Sequence, residues 1–228
     1  PEIFERSNRW IVLSMSRYRL SLVDGRYCLI DSFSSQKPLS LSFFSPKFLR
    51  RVKAASKNSE LLAKAVGTRQ GLKVVDCTAG LGRDGFLLAH LGCDVTLIER
   101  SKVIYTLLLD ALNCASFDPD LKKVVDRISL YQSDAKEYLF RHSSWDVIYI
   151  DPMFPDKKKT SLPKGGMQYL QRFLSKEKND GSLLESAFRC KFRRLVVKRP
   201  LKTPAKDIRK ADRSIQNDKI RFDIYLGI

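Results

Sequence analysis

From Leu72 onward the chain alternates short apolar runs with longer stretches of helical spacing. Apolar runs rich in β-branched residues predict parallel strands, and the stretches between them predict crossover helices. Strands are expected at Lys73–Asp76, Asp94–Ile98, Ile128–Gln132, Asp146–Ile150 and Arg194–Lys198. Helices are expected from about Asp84 to Leu91, closed by Gly92, and from the capping residue Ser101 to about Ala115. Others are expected from Ala135 to about His142, near Met167–Lys176 and at Ser182–Lys191. The chain closes on an expected antiparallel pair, about Arg213–Lys219 with Arg221–Leu226. This pattern predicts an α/β fold: a mostly parallel sheet, helices on both faces and an antiparallel C-terminal strand.

The first 45 or so residues read differently. Ile11–Leu13, Tyr18–Val23 and Tyr27–Ile30 are short β-type runs, and Asp24-Gly25 between the last two is a hairpin signal. Leu39–Phe43 alternates and is expected to be a further strand, whereas Pro46–Lys53 stands out only as basic. A helix at Glu60–Val66 is stopped by Gly67. The expected division is a small β-rich N-terminal subdomain at 1–56 and a larger α/β domain at 57–228.

Composition narrows the class. The chain has 228 residues, 43% of them hydrophobic, enough for a folded domain with a real core. No apolar run approaches the ~20 residues that span a bilayer, and no signal-peptide pattern opens the chain. The five cysteines, Cys28, Cys77, Cys93, Cys114 and Cys190, form no C-x-x-C pair. They predict reduced thiols in a cytoplasmic protein, with neither a disulfide frame nor a zinc site. His90 and His142 are the only histidines, so no metal is expected. The net charge of +17 points to a polyanionic partner, nucleic acid before membrane.

The candidate chemistry begins at Val74–Asp84, VVDCTAGLGRD. A strand ending in Asp76 runs into a small-residue turn with Gly80 and Gly82, then Arg83-Asp84 at a helix start. Such a turn lets backbone approach a ligand closely. Acids recur at the ends of the strands that follow: Glu99, Asp134 and Asp151. Ligands of open α/β sheets bind at those ends. Glu99 lies 17 residues beyond Gly82, near the ~20 expected of an acid that accepts ribose hydroxyls. Asp134, with Ser133 beside it, suits an adenine amino group. The bland alternative, acids as helix caps, fits any one of them better than all four in register. An adenosine ligand follows, either NAD or S-adenosylmethionine. The turn A-G-L-G-R-D is expected to lack the third glycine of the dinucleotide fingerprint. Asp84 stands where a pyrophosphate would be repelled and a cationic amino group welcomed, which favours S-adenosylmethionine.

Asp151-Pro152-Met153-Phe154-Pro155 resembles the D/N-P-P-Y/F motif of class I methyltransferases that act on exocyclic amino groups, with Met153 replacing the second proline. An aromatic amine has its lone pair delocalised into the ring. The Asp151 carboxylate and the Pro152 carbonyl can hold its N–H bonds, and Phe154 can stack on the base. Positioning then does most of the work. Lys157, Lys158, Lys159 and Lys164 follow the motif, and Lys198 and Arg199 end a later strand. All six are candidate phosphate contacts around a target nucleotide, against the plainer reading of a solvated basic face.

Taken together, DCTAGLGRDGF, LIER, IYIDPMFPDKKKTSLPKGGMQ, LVVKRP and RFDIYL resemble the ribosomal RNA small subunit methyltransferase J family. The resemblance spans residues 74–226. It implies a class I, Rossmann-like fold and methyl transfer from S-adenosylmethionine to N2 of a guanine in 16S rRNA, free or in the small subunit. It also implies cofactor contacts at Arg83, Asp84, Glu99, Arg100, Ser133, Asp134 and Asp151. Amino methylation of another nucleic acid or a protein amide, a non-catalytic RNA-binding assembly module and an NAD-dependent oxidoreductase are the alternatives. The sequence leaves the oligomeric state open.

Overall fold

The computed structural model describes residues 17–33, 35, 37–142, 144–152, 182–203 and 208–227. An N-terminal hairpin pairs β1 (Tyr18–Val23) with β2 (Arg26–Asp31), turning through Asp24 and Gly25, both at positive φ. Helices α1 (Pro46–Ala54) and α2 (Leu61–Val66) lead into the main sheet. Its first half is β3 (Lys73–Asp76), α3 (Arg83–His90), β4 (Asp94–Glu99), α4 (Lys102–Ala115), α5 (Pro119–Val125) and β5 (Ile128–Gln132). Its second half is α6 (Ala135–Arg141), β6 (Ser144–Ile150), α7 (Ser182–Phe188), β7 (Lys191–Pro200), β8 (Arg213–Gln216) and β9 (Ile220–Leu226).

The seven strands lie in the order β5-β4-β3-β6-β7-β9-β8. The first five are parallel, and β9 runs antiparallel to both β7 and β8. The chain builds outward from β3 in one direction, then returns to lay β6 on its other side. A crevice opens at such a reversal, because the helices after β3 and β6 leave on opposite faces.

Side chains on each strand alternate between two apolar layers. Val74, Val95, Leu97, Val147 and Val196 pack with α1–α5 on one face. Val75, Ile98, Ile148, Ile150, Leu195 and Val197 pack with α6 and α7 on the other. The first layer also takes in Leu20 and Leu29 of the hairpin, and Arg26 binds Asp110 of α4 at 2.7 Å. Phe86 of α3 is fully buried, stacked on Phe43 with centroids 4.5 Å apart and edge-on to Phe48 at 5.6 Å.

Several elements differ from expectation. Leu39–Phe43 is no strand; Leu39 makes one bridge to Leu29, after which the chain turns so that Leu41 and Phe43 are buried. Pro46–Lys53 is not merely basic. Pro46 opens α1, and Phe48 and Val52, one turn apart, are its buried face. Helix α5 was not anticipated, although Asp118 caps it by accepting from Asp120 and Leu121 N–H, each at 3.0 Å. Strand β8 stops at Gln216 because the Asn217 side chain accepts from Lys219 and Ile220 N–H and turns the chain. Helix α7 ends at Phe188 because β7 already starts at Lys191. The expected strand at Ile11–Leu13 and helix at Met167–Lys176 lie outside the described residues.

Phe86→Ala should cost about 3–5 kcal/mol, seen as a lower urea midpoint at unchanged m-value. A loss below 1 kcal/mol would show that the contact of α1 with α3 does not hold this layer together.

Candidate active site

The crevice between β3 and β6 is built first from backbone. Leaving β3, Cys77 N–H donates to Tyr149 O at 3.0 Å, and Ala79 N–H to Ile98 O at 3.1 Å. The turn is thereby pinned to both neighbouring strands. Gly80 and Gly82 both take positive φ, +52° and +68°. A Cβ on Gly82 would come within 2.5 Å of Leu108 Cδ1, whereas one on Gly80 would meet only Thr78 O at 3.7 Å. The Gly80 side of the turn is open to a ligand, and the Gly82 side is sealed against α4. The expected absence of a third glycine is wrong. Gly80, Gly82 and Gly85 stand at G-x-G-x-x-G spacing, and a Cβ on Gly85 would run into Leu97. The third glycine is what lets α3 lie close on β4. Discrimination against a pyrophosphate therefore rests on Asp84.

Glu99 ends β4 and reaches over the turn. Its Oε2 accepts from Gly80 N–H at 2.9 Å and its Oε1 from Ser101 N–H at 2.8 Å. Ser133 N–H donates to the Glu99 carbonyl at 3.1 Å, which brings the end of β5 alongside. Asp134 caps α6, accepting from Lys136 N–H at 2.8 Å, so the plainer reading of this acid holds in part. Arg83 lies at the exposed start of α3 with its guanidinium 5.9 Å from the Phe48 ring, and Arg100 is exposed just beyond Glu99.

Around the crevice floor the acids meet each other. Asp76 is buried, and its Oδ1 accepts from the Thr78 N–H at 3.0 Å and hydroxyl at 3.3 Å. The same hydroxyl accepts from Asp151 N–H at 2.7 Å, so one threonine ties the end of β3 to the residue after β6. Lys198 of β7 donates to Asp151 Oδ2 at 2.7 Å and to Asp84 Oδ2 at 2.8 Å. The buried Tyr149 hydroxyl donates to that same Asp84 oxygen at 2.8 Å. Arg51 of α1, bound to Glu60, stands 3.9 Å from Asp84. Pro152 follows Asp151 and is half-buried.

The charges shape each other. Burial pushes the Asp84 carboxyl up, but Lys198 and the Tyr149 hydroxyl outweigh it and hold the group below its ordinary value. Burial raises Asp151, with Lys198 opposing only in part. Asp76 is pushed up to about 7, first by burial and then by its two acidic neighbours. Burial alone would lower Lys198, yet the two carboxylates raise it.

Two expected phosphate contacts are placed elsewhere. Lys198 is enclosed by carboxylates. Arg199, only 5% exposed, lies on the opposite side of the strand and binds Asp223 of β9 at 2.9 Å. Strand alternation sends neighbouring residues to opposite faces, so both could not serve one rim. Phe154, Lys157, Lys158, Lys159 and Lys164 lie outside the described residues. Thr78 and Tyr149 were missed by sequence reasoning. Both lie inside motifs read for other residues, and only their contacts reveal a role. A groove of about 750 Å³ between α1, α3 and α5 lies at the other end of the strands, away from the acids.

The profile of the family described as "Putative SAM-dependent methyltransferase" matches residues 5–227. The ribosomal RNA small subunit methyltransferase J of Thioalkalivibrio sulfidiphilus is 39% identical over 99% of this chain and 88% of its own. That of Dechloromonas aromatica is 40% identical over 82% of this chain and 78% of its own. This chain belongs to the ribosomal RNA small subunit methyltransferase J family. Its fold matches the crystal structure of a SAM-dependent methyltransferase from Neisseria gonorrhoeae with a TM-score of 0.69, at 29% identity over 89% of this chain and 79% of that one. It is therefore a class I, S-adenosylmethionine-dependent methyltransferase. The crevice suits that cofactor. An open glycine turn, an acid at the end of β4 and a cluster of carboxylates favour a cationic adenosyl ligand over a pyrophosphate.

Asp76 carries a testable pH signature. Its folded pKa, about 7, lies above the ordinary 3.8. The neutral form is favoured on folding, so the penalty is absent below about pH 4 and grows as pH rises toward 7. Asp76→Asn should therefore gain on wild type across that window, by at most about 4 kcal/mol, with a constant difference above pH 8. Urea midpoints at several pH values decide it. A pH-independent difference would mean Asp76 is ionised throughout.

Proposed function

We propose that this enzyme transfers a methyl group from S-adenosylmethionine to the exocyclic N2 of a guanine in 16S rRNA, in the cytoplasm. The observation that carries the reading is Asp151, held at the β3–β6 crevice by Lys198 and Thr78 beside the glycine turn. The names of the relatives and the +17 charge support an rRNA substrate.

In this reading Glu99 accepts the ribose hydroxyls, and Ser133 and Asp134 meet the adenine. Asp84 faces the amino group of the methionine portion, while Gly80 and Gly82 admit the ligand to the backbone. Asp76 supports the turn through Thr78, and Arg83 and Arg100 flank the cofactor. When bound, S-adenosylmethionine supplies a methyl group on a positively charged sulfur.

The protein's task is to aim the amine. Asp151 and the Pro152 carbonyl accept the two N–H bonds of N2, which turns its lone pair toward the methyl carbon. Transfer to this amine would form the N–C bond as the C–S bond breaks, the electron pair remaining with sulfur. The surplus N–H proton leaves through Asp151. Phe154 stacks on the guanine, and Lys157, Lys158, Lys159 and Lys164 hold the neighbouring phosphates. Residues 1–56 act as a small subdomain that covers the cofactor end through α1 and Arg51, and 57–228 form the methyltransferase domain.

Small subunits lacking their guanine-N2 methyls, incubated with labelled S-adenosylmethionine, should yield label in N2-methylguanosine. Label in another nucleoside, or none on either subunits or naked 16S rRNA, would refute the assignment. Asp151→Ala should lower transfer by about 10²–10³-fold while rRNA affinity, dominated by phosphates, stays within about threefold. Equal loss of binding in a folded variant would remove Asp151 from this role.

A further inference from the structure

We propose that Lys198 is a positioning residue for methyl transfer: its ammonium orients the Asp151 carboxylate for the target amine and couples it to Asp84 on the cofactor side. This rests on the reading that Asp151 accepts an N–H of the target.

The geometry is specific. An ammonium has three donors, and two of them are committed at 2.7 and 2.8 Å to two different acids. Those acids come from separate elements, Asp84 from the first turn of α3 and Asp151 from the end of β6. Lys198 itself sits on β7, paired with Phe222 of β9 and one residue beyond the last pair with β6, Ile150 with Val197. Its side chain is 22% exposed. The two short ion pairs hold the ammonium between the acids, so the lysine can act as a strut.

Lys198 occupies Asp151 Oδ2 and so leaves Oδ1 as the oxygen turned to a substrate. A carboxylate with one anchored oxygen presents one acceptor in one direction, whereas an unanchored one rotates between two. The Asp84 end has a parallel consequence. Its Oδ2 already accepts from Lys198 and Tyr149, so a cationic group arriving at Asp84 meets a fixed oxygen pair. Without Lys198, Asp151 would lose this cation and Asp84 would keep Arg51 at 3.9 Å, and like charges held close together disfavour ionisation.

This differs from a phosphate contact. To reach RNA, Lys198 would have to leave two charge-assisted hydrogen bonds, each stronger than a neutral one. In exchange it would gain one solvated contact. The balance favours the internal position.

The test compares Lys198→Met, Lys198→Gln and Lys198→Arg. If Lys198→Met does not fold, Lys198→Gln, uncharged but polar, carries the comparison. Among the described residues, the charged and titratable groups facing the pair are Asp76 on β3, Asp84 on α3, Tyr149 on β6 and Arg51 on α1. The neutral variants should lower kcat about 10²-fold and move the acid limb of its pH profile to higher pH. The rRNA dissociation constant and its salt dependence should stay unchanged. Lys198→Arg should restore part of kcat.

A second readout needs no turnover. In carbon-13 NMR titrations, the Asp151 carboxyl, assigned with Asp151→Asn, should titrate higher in the neutral variants than in wild type. An unchanged titration would overturn the proposal whatever the substrate proves to be. Unchanged kcat, with a raised KM for rRNA and a salt slope shallower by about one, would make Lys198 a phosphate contact instead. If wild type methylates some other base, the guanine assignment fails while the titration still decides the role of Lys198.

Discussion

Three carboxylates share one crevice, and the arrangement depends on the cation between them. Asp84 and Asp151 raise the cost of ionising Asp76, and Asp84 that of ionising Asp151. Asp76 is buried from water, so its charge must be met by protein groups or given up. Lys198 meets two of the three at hydrogen-bond distance. Among the described residues Asp76 has Thr78 as its side-chain hydrogen-bond partner, and its pKa rises to about 7. The crevice thus sets two acids on one lysine, with a third whose pKa is pushed up to about 7. A site with that balance attracts a cationic ligand and repels a pyrophosphate.

The sheet makes this cluster possible. Asp76 and Asp151 follow strands that are neighbours in space yet 75 residues apart in the chain. Lys198 comes from the next strand out, and Asp84 from the helix that α1 covers. Phe43, Phe48 and Phe86 lock that cover in place. Through Arg51 the N-terminal region adds a cation 3.9 Å from Asp84.

How much of this could be read from residues alone varies by element. The alternation of strand and helix was plain, because each buried strand is a short apolar run with a polar end. The acids at strand ends were equally visible, since position along a strand is a local property. Leu39–Phe43 misled because alternation marks a half-buried segment whether or not it has a β partner. Helix α5 went unnoticed despite its Asp118–Pro119 start, because it is a single short element between two better signals. The place of Gly85 is legible from spacing alone, third in G-x-G-x-x-G after Gly80 and Gly82.

Residue types at fixed spacing determined that this protein has a parallel α/β sheet, a glycine turn and an acid series suited to an adenosyl cation. The motifs that follow carried its family. These features depend on backbone conformation and on charge within a few residues, and both are written locally. Only the tertiary structure decided where the cations go. Lys198 and Arg199 are adjacent in sequence, yet one bridges the acids of the crevice and the other is buried against Asp223. The partner of a charge is set by which strands become neighbours, and that follows from the packing of the whole sheet.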